Sequence, residues 1–335
     1  MKVMFQINYV GGLGADRWIF GGYQDAFEAL GHKFFYLPYD DNFQEGVKKT
    51  LPDLLFLFSP ATLDKKNWEF LHDMRKKGIK VFVFVDQQFA STPEKLAAYR
   101  DGDLGDIYWG ENEEDYMQDF VRETGHPYVT IPLASNPKYH FPTKPVKKYE
   151  CDIVFLGAMM PFKREAFEKL LIPLRKKYRV KIFGPNWTVS DNALRLLGLG
   201  LRKMRLSALN QVVQKLRVSI PAEEENQLYS SAKICLNIHE RGPEQKNHVF
   251  LNERGYKIPA CGGFEICDNN RALRRYFSPD EVVMADDDDD WFVKIDYYLT
   301  HDDERRRIQE AGARRAARDH TYAARVQKIL KLAAL

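Results

Sequence analysis

Arg254-Gly-Tyr-Lys-Ile-Pro-Ala-Cys-Gly-Gly-Phe-Glu-Ile-Cys-Asp268 reads as a helix that runs into a glycine pair and then into a buried strand. Glycine belongs where the main chain must approach a ligand without a Cβ in the way, and Gly262-Gly263 stands just before the apolar run 264–267. Arg254 and Lys257 are three apart on the helical side, so they share a face and offer positive charge to an anion. A glycine pair that only caps a helix ahead of a core strand looks the same in sequence. Helix followed by short apolar strand is one step of a parallel α/β sheet, and the step repeats outward in both directions.

In the first 140 residues the apolar runs 2–9, 33–38, 53–58, 80–86, 106–109 and 128–132 predict strands. Between them 21–31, 62–78, 93–100 and 111–125 have helical spacing, three of them closed by glycine. Four prolines fall within the fourteen residues 132–145, so 136–150 reads as a linker. The alternation then restarts, with strands expected at 151–157, 180–183, 234–238, 263–267 and 281–284. The expected organisation is an α/β protein of two Rossmann-like domains, 1–140 and 141–315, with a helical insertion at about 190–218 and a C-terminal helix, 316–335, returning to the first domain. A length of 335 residues fits two domains of ordinary size.

Fifty basic against forty-seven acidic side chains give +3, which argues against a protein built to neutralise a long run of phosphates. Nucleic acid is therefore not the expected partner. Cys151, Cys235, Cys261 and Cys267 show no CxxC spacing and three of them sit in or beside apolar runs, which fits reduced thiols in the cytoplasm. The N-terminus enters a strand without a cleavable apolar region, and no run approaches the roughly 18 apolar residues of a membrane span. One segment, 191–218, is both basic and apolar, with no acid after Asp191 until Glu223. It suits peripheral contact with an anionic membrane, a grip on an acceptor, or a hairpin packed on its own domain.

Several loops carry chemistry. Asn8-Tyr-Val-Gly-Gly-Leu-Gly-Ala-Asp-Arg17 is glycine-rich and precedes a helix, as a phosphate cradle does, yet it is not GxGxxG, and the acids after the second strand come only beyond Pro38, not cleanly at its end as a dinucleotide ribose requires. Asn8, Gly11, Gly12, Gly14 and Arg17 are accordingly expected to face the substrate. Gly157-Ala-Met-Met-Pro-Phe-Lys-Arg164 ends a strand with a glycine turn and sets Lys163 and Arg164 at a helix start, where charge and amides together neutralise a diphosphate. Trp187, in Phe183-Gly-Pro-Asn-Trp187, suits base stacking or plain packing. Asn237 and His239 alternate onto one side of a strand's carboxyl end, where open α/β sheets bind ligands. Asp86 holds the matching place after 81–85, although an Asp capping the next segment looks the same. The run 286–290 of five carboxylates reads as a solvated helix start, and no His/Cys metal spacing is present.

Taken together, Pro132-Leu-Ala-Ser-Asn-Pro137, Asp152-Ile-Val-Phe-Leu-Gly157, Phe183-Gly-Pro-Asn-Trp187, Lys233-Ile-Cys-Leu-Asn-Ile-His239, Arg254–Gly263 and His320-Thr-Tyr-Ala-Ala-Arg325 resemble the CgeB-like glycosyltransferases, a group named for a spore maturation protein. The resemblance spans about 132–330 and implies the GT-B architecture, two Rossmann-like domains facing across a cleft. It implies a nucleotide-diphosphate sugar, a UDP-sugar, held mainly by the C-terminal domain, with the acceptor on the N-terminal one. It further implies a metal-independent, retaining transfer with no required cofactor, in which Lys163 or Arg164, Arg254 and the Gly262-Gly263 turn neutralise the leaving diphosphate. Gly157, Trp187, Asn237, His239, Tyr256 and Lys257 would complete the nucleotide site, and Asp86 would act at the reacting sugar. One position departs from the family pattern Arg-x-Phe-Glu-x-x-x-Cys-Gly: Lys257 stands where a glutamate commonly grips the ribose diol. A lysine cannot accept hydrogen bonds, so Glu253, Glu265 or another group takes that role, the donor differs, or the site binds nucleotide or glycan without transfer.

Overall fold

A computed structural model describes residues 1–7, 15–37, 43–58, 65–160, 163–239 and 251–334. The chain forms two compact units: Met1–Val10 with Ile19–Leu133 and Tyr322–Leu335, and Gly11–Trp18 with Ala134–Thr321.

The first unit carries β1 (Lys2–Gln6), β2 (Lys33–Leu37), β3 (Leu54–Leu57), β4 (Lys80–Phe84), β5 (Ile107–Gly110) and β6 (Tyr128–Thr130), all parallel in the order β2-β1-β3-β4-β5-β6. Its helices are α1 (Asp16–Ala29), whose first residues belong to the second unit, α2 (Phe43–Thr50), α3 (Trp68–Lys76), α4 (Pro93–Asp101) and α5 (Gln118–Thr124). A parallel sheet covered on both faces needs continuous apolar strands, and the four residues of β3 are all buried. On one face Leu55, Val81 and Val83 pack against Val47, Leu71, Met74 and Phe120 of the helices. The other face is aromatic: Phe5, Phe56 and Phe82 are register partners on three adjacent strands, with ring centroids 4.2 and 4.6 Å apart.

The second unit has β7 (Cys151–Leu156), β8 (Val180–Phe183), β9 (Ala232–Asn237), β10 (Glu265–Asp268) and β11 (Val283–Ala285), parallel in the order β11-β10-β9-β7-β8. Its helices are α6 (Arg164–Lys177), the inserted pair α7 (Val189–Lys203) and α8 (Ser207–Leu216), α9 (Glu225–Ser231), α10 (Arg254–Ala260), α11 (Leu273–Tyr276), α12 (Asp288–Thr300) and α13 (Asp302–Asp319). Ile153, Phe155, Leu236 and Ile266 pack on α6 and α12, while Val154 and Cys235 face Leu228, Tyr229 and Ile258. Residues 136–150 contain no helix or strand and are held by side chains of α9, the amides of Thr143 and Val146 donating to Oγ of Ser230 and Ser231 at 2.9 and 2.8 Å.

The last helix, α14 (Tyr322–Leu332), belongs to the first unit. Tyr322 lies 4.8 Å from the Tyr23 ring, and Arg325 donates to the carbonyls of Pro132 and Leu133, each at 2.9 Å. A Cβ on Gly22 would stand 2.1 Å from the Tyr322 ring, so this glycine lets the two helices meet.

Strand positions match the sequence expectation to within a few residues, and the glycines at 31, 78 and 125 close helices in the left-handed region. Two differences have clear causes. The helix expected from residue 21 begins at Asp16, with Gly21 and Gly22 inside it, where Gly22 makes room for Tyr322. The strand expected from Glu281 begins at Val283, because the Glu281 carboxylate is turned back to accept from the Ser278 amide at 2.9 Å. The Asp run is a helix start: Asp287 caps α12 by accepting from the amides of Asp289 and Asp290. No helix among the described residues is long and apolar enough to cross a membrane.

Candidate functional site

In the second sheet the chain winds one way from β7 to β8, then crosses back past β7 to β9 and continues the other way, so the order reverses between β7 and β9. Beyond the carboxyl ends of such a pair, helices diverge to either side and leave room for a ligand. Arg254 occupies this place. Its Nη1 donates to the Leu156 carbonyl at the end of β7 and its Nη2 to the Ile238 carbonyl after β9, both at 3.0 Å. The guanidinium lies over the Phe155 ring, 5.5 Å from its centroid, and its buried Nε–H has no hydrogen-bond partner among the described residues. Gly157 makes the room, since a Cβ there would sit 2.6 Å from Nη1 of Arg254. Gly184, at φ 120°, approaches Gly157 so closely that its own Cβ would meet the Gly157 carbonyl oxygen at 2.3 Å. Trp187 donates from Nε1 to that oxygen at 2.7 Å and packs on Phe167, which is the packing alternative of the two left open by its sequence.

At the start of α6 the two neighbouring cations part company. Arg164 points outward into a surface pair with Glu168 at 2.8 Å. Lys163 lies within electrostatic reach of His239 and Glu253. Burial pushes the Glu253 carboxyl upward, but Lys257, Arg254 and Lys163 outweigh burial and hold it below the ordinary carboxylate value, so it is ionised.

Asn237 and His239 both turn inward and are tied together by Asn252. Asn237 donates to Glu265 Oε1 at 2.8 Å and accepts from Asn252 Nδ2 at 2.9 Å. Asn252 Oδ1 also accepts the Gly255 amide in the first turn of α10 at 3.2 Å. His239 Nε2 faces Asn270 Nδ2 at 3.1 Å, and since Asn270 Oδ1 accepts from the Ala272 amide, Nε2 is the acceptor and the ring proton sits on Nδ1. Nδ1 stands 3.6 Å from Asp268 Oδ2, whose carboxylate also accepts the His239 amide. Burial lowers the His239 pKa against the opposing pull of Asp268. Glu265, walled into the sheet, has its pKa pushed up to about 8 by burial and is neutral at pH 7.

Lys257 and Arg254 make their hydrogen bonds to different groups. Lys257 is 2 % exposed, donates to the fully buried Glu225 Oε1 at 2.5 Å, and lies 3.8 Å from Glu253 Oε1. Arg17 reaches the same carboxylate, 3.6 Å from Glu225 Oε2, and the Trp18 ring stands beside both cations at 4.6 and 5.2 Å from its centroid. His140 closes the cluster, its ring 4.8 Å from Trp18. Burial, then Lys257 and Arg17, hold that imidazole well below its ordinary pKa.

The Gly262-Gly263 turn differs from the expected anion-facing one. The Gly262 amide donates to Pro259 O at 2.8 Å and the Gly263 amide to Ile258 O at 2.9 Å, so both N–H groups serve the α10 terminus, with Gly262 left-handed at φ 67°. Tyr256 is in the core, its ring against Tyr276, Phe277 and His320. In the first unit Asp86 accepts the Gln88 amide at 2.8 Å and holds Lys95 Nζ at 3.0 and 3.1 Å, which is the turn-capping arrangement. Asn8, Gly11, Gly12 and Gly14 lie outside the described residues. Sequence reasoning missed Glu225, Asn252, Asn270 and His140. Of these only Asn252 carried a legible sign, an Asn three residues before a helical amide.

A family described as glycosyl transferase-like matches residues 163–331, just over half of the chain, and the protein belongs to that family. It is a glycosyltransferase. Among solved structures, a glycosyltransferase from Rickettsia africae ESF-5 is 13% identical over 99% of this chain and 98% of its own, with a TM-score of 0.64. An alpha-glucosyltransferase in complex with UDP is 14% identical over 100% of both chains at TM-score 0.62, and Anabaena Alr3699/HepE in complex with UDP-glucose is 12% identical over 100% of both at 0.62. These likenesses establish the fold as that of the GT-B glycosyltransferases, with two parallel sheets and flanking helices. No curated protein matches the chain in sequence.

Proposed function

We propose that the protein transfers a glycosyl group from a UDP-sugar, and that the second unit binds the uridine diphosphate beyond β7 and β9. One observation carries this reading: Arg254 bridges the two strand ends at the reversal point, beside Gly157, with Lys163 and the ionised Glu253 within electrostatic reach. In this reading Lys163 neutralises the leaving diphosphate and Arg254 fixes the strand ends while offering its Nε–H. Glu253 accepts the ribose hydroxyls, the task for which Lys257 is unsuited. Glu265 is set aside because it is neutral and bonded to Asn237. Structures of the same fold hold UDP and UDP-glucose, which supports the choice of nucleotide. The ion cluster accounts for Lys257 without a loss of activity, so transfer is preferred over a non-catalytic binding role.

Calorimetric titration with UDP tests the site. Lys163→Ala and Glu253→Gln are each expected to weaken UDP about tenfold or more, the loss of one charge-assisted contact, whereas Arg164→Ala changes it less than about twofold. Equal effects at 163 and 164, or no UDP binding by the unaltered protein, refute the assignment.

The finer reading is a CgeB-like enzyme of the cytoplasm, retaining and metal-independent, acting on a glycan, protein or small-molecule hydroxyl. Its support is the motif set of the second unit, Lys163 and Arg254 at the proposed diphosphate position, and four free, buried cysteines. Proton NMR of the first-formed product gives the anomer, and turnover that survives a chelator is the expected result; an inverted product or loss of activity with chelator counts against it.

A further inference from the structure

We propose that the inserted hairpin α7–α8 docks on an anionic phospholipid surface. This inference rests on the hairpin alone and not on the donor reading. The two helices are fastened to each other: a Cβ on Gly198 would meet Gln214 Nε2 at 2.7 Å, and Asp191 is bonded to Arg217 at 2.8 Å. Away from that seam the hairpin is apolar and uncovered. Leu209, Val212 and Leu216, at i, i+3 and i+7 on one face of α8, are 55%, 55% and 67% exposed, and Leu196, Leu197 and Met204 of α7 and its turn are 62%, 52% and 66% exposed. A soluble surface carries such side chains singly; a cluster on one element marks an interaction surface.

The charge identifies the occupant. Residues 189–218 hold Arg195, Arg202, Lys203, Arg205, Lys215 and Arg217 against the single acid Asp191, which Arg217 already neutralises. Five cations therefore stand among the exposed leucines, and a second copy of the same surface would be repelled. The turn adds an independent sign. Arg205 takes φ 57°, a left-handed conformation that glycine adopts without strain, so an arginine is held at the tip where the backbone disfavours one. Leucine and methionine entering the acyl boundary, with arginine and lysine at the lipid phosphates, is the arrangement of an interfacial helix pair that lies on the bilayer without crossing it.

Co-sedimentation of the full chain with phosphatidylcholine vesicles rich in phosphatidylglycerol, against pure phosphatidylcholine vesicles, is the test. The unaltered protein is expected on the anionic vesicles only. Removing Arg202, Lys203 and Arg205 together (each →Gln) is expected to lower the partition coefficient about fivefold per cation, on the order of a hundredfold in all. Leu209→Ser with Val212→Ser and Leu216→Ser is expected to abolish insertion, read as loss of binding that persists in high salt. Circular dichroism and an unchanged thermal unfolding transition confirm that both variants are folded. No anionic-vesicle binding by the unaltered protein overturns the proposal, as does binding that both variants retain. Concentration-dependent dimers that the leucine variant removes, without vesicle binding, overturn it in favour of self-association. Binding to duplex DNA as tight as to vesicles, indifferent to the leucine variant, overturns it in favour of an anionic polymer.

Discussion

Replacing Lys257 with glutamate, the residue of the CgeB-like pattern, separates the two meanings of that position. If residue 257 belonged to the ribose site, Lys257→Glu would improve nucleotide binding. The structure predicts collapse of the cluster instead. The ammonium is 2 % exposed and 2.5 Å from a Glu225 carboxylate that has no exposure at all. Removing one member of a buried ion pair costs about 3–5 kcal/mol, because the other charge stays behind uncompensated. Arg17, at 3.6 Å, still faces Glu225, so Lys257→Met belongs near the lower figure. Lys257→Glu belongs near the upper one, since it sets a third carboxylate beside Glu225 and Glu253. For a unit of this size each kcal/mol lowers Tm by about 2–4 °C, which gives about 6–12 °C for Met and about 10–20 °C for Glu. Lys257→Met with Glu225→Gln leaves no stranded charge and is expected to regain at least half of the loss. Thermal and urea unfolding followed by tryptophan fluorescence reads all four proteins, Trp18 lying at the cluster itself. A Lys257→Glu Tm within about 2 °C of the unaltered value, together with tighter UDP binding, would refute the reasoning.

Gly22→Ala is expected to destabilise the first unit by about 1–3 kcal/mol through overlap with Tyr322, while Gly21→Ala, which meets nothing within 4 Å, gains up to about 1 kcal/mol from helix propensity; hydrogen exchange of α14 should rise in the first variant alone. His140 and His239 are both held below the ordinary value, so the unfolded chain binds more protons: stability is full above about pH 6.5 and falls as the pH drops below it. His140→Phe should reduce that acid slope by up to about 1.4 kcal/mol per pH unit, and an unchanged slope counts against the buried neutral imidazole. Glu265 runs the other way, since a folded pKa of about 8 against 4.5 means the folded state binds more protons and stability falls as the pH rises between those values. Glu265→Gln should flatten this alkaline loss in chemical denaturation curves. Asp86→Ala should cost about 1 kcal/mol, the loss of a turn cap, and leave donor hydrolysis within about twofold; a loss of activity beyond tenfold would return Asp86 to the catalytic site.

The fold was largely legible because parallel strands covered on both faces must be apolar throughout. Val81-Phe-Val-Phe-Val and Ile153-Val-Phe-Leu admit no other reading once glycine-closed helices separate them. Gly22 shows where such reading fails: its reason is a tyrosine 300 residues further along the chain, and nothing local distinguishes it from a helix boundary. Of the proposed site, sequence singled out Gly157 as a glycine closing a strand and Arg254 as a cation on the helix before Gly262-Gly263, but not that the two meet where the strand order reverses. Which of Lys163 and Arg164 turns inward depends on the phase of α6, which sequence leaves uncertain by a residue. Gly262-Gly263 fitted two uses with identical composition, and only the direction of its amides decides between them. Glu225 carried no sign at all, lying in Glu223-Glu-Glu-Asn226, where three adjacent acids read as a solvated face although the third is wholly buried.

Because α14 belongs to the first unit and Gly11–Trp18 to the second, neither unit is one uninterrupted stretch of the gene. A stop codon just before Tyr322 would strip the helix that packs on Tyr23 and bonds the carbonyls of Pro132 and Leu133, so late truncations injure the N-terminal unit. A fragment beginning at Ala134 would lack Arg17 and Trp18 and leave Glu225 with one cation instead of two. Splitting the enzyme for expression therefore calls for grafting the closing helix onto the first piece and the Arg17–Trp18 segment onto the second.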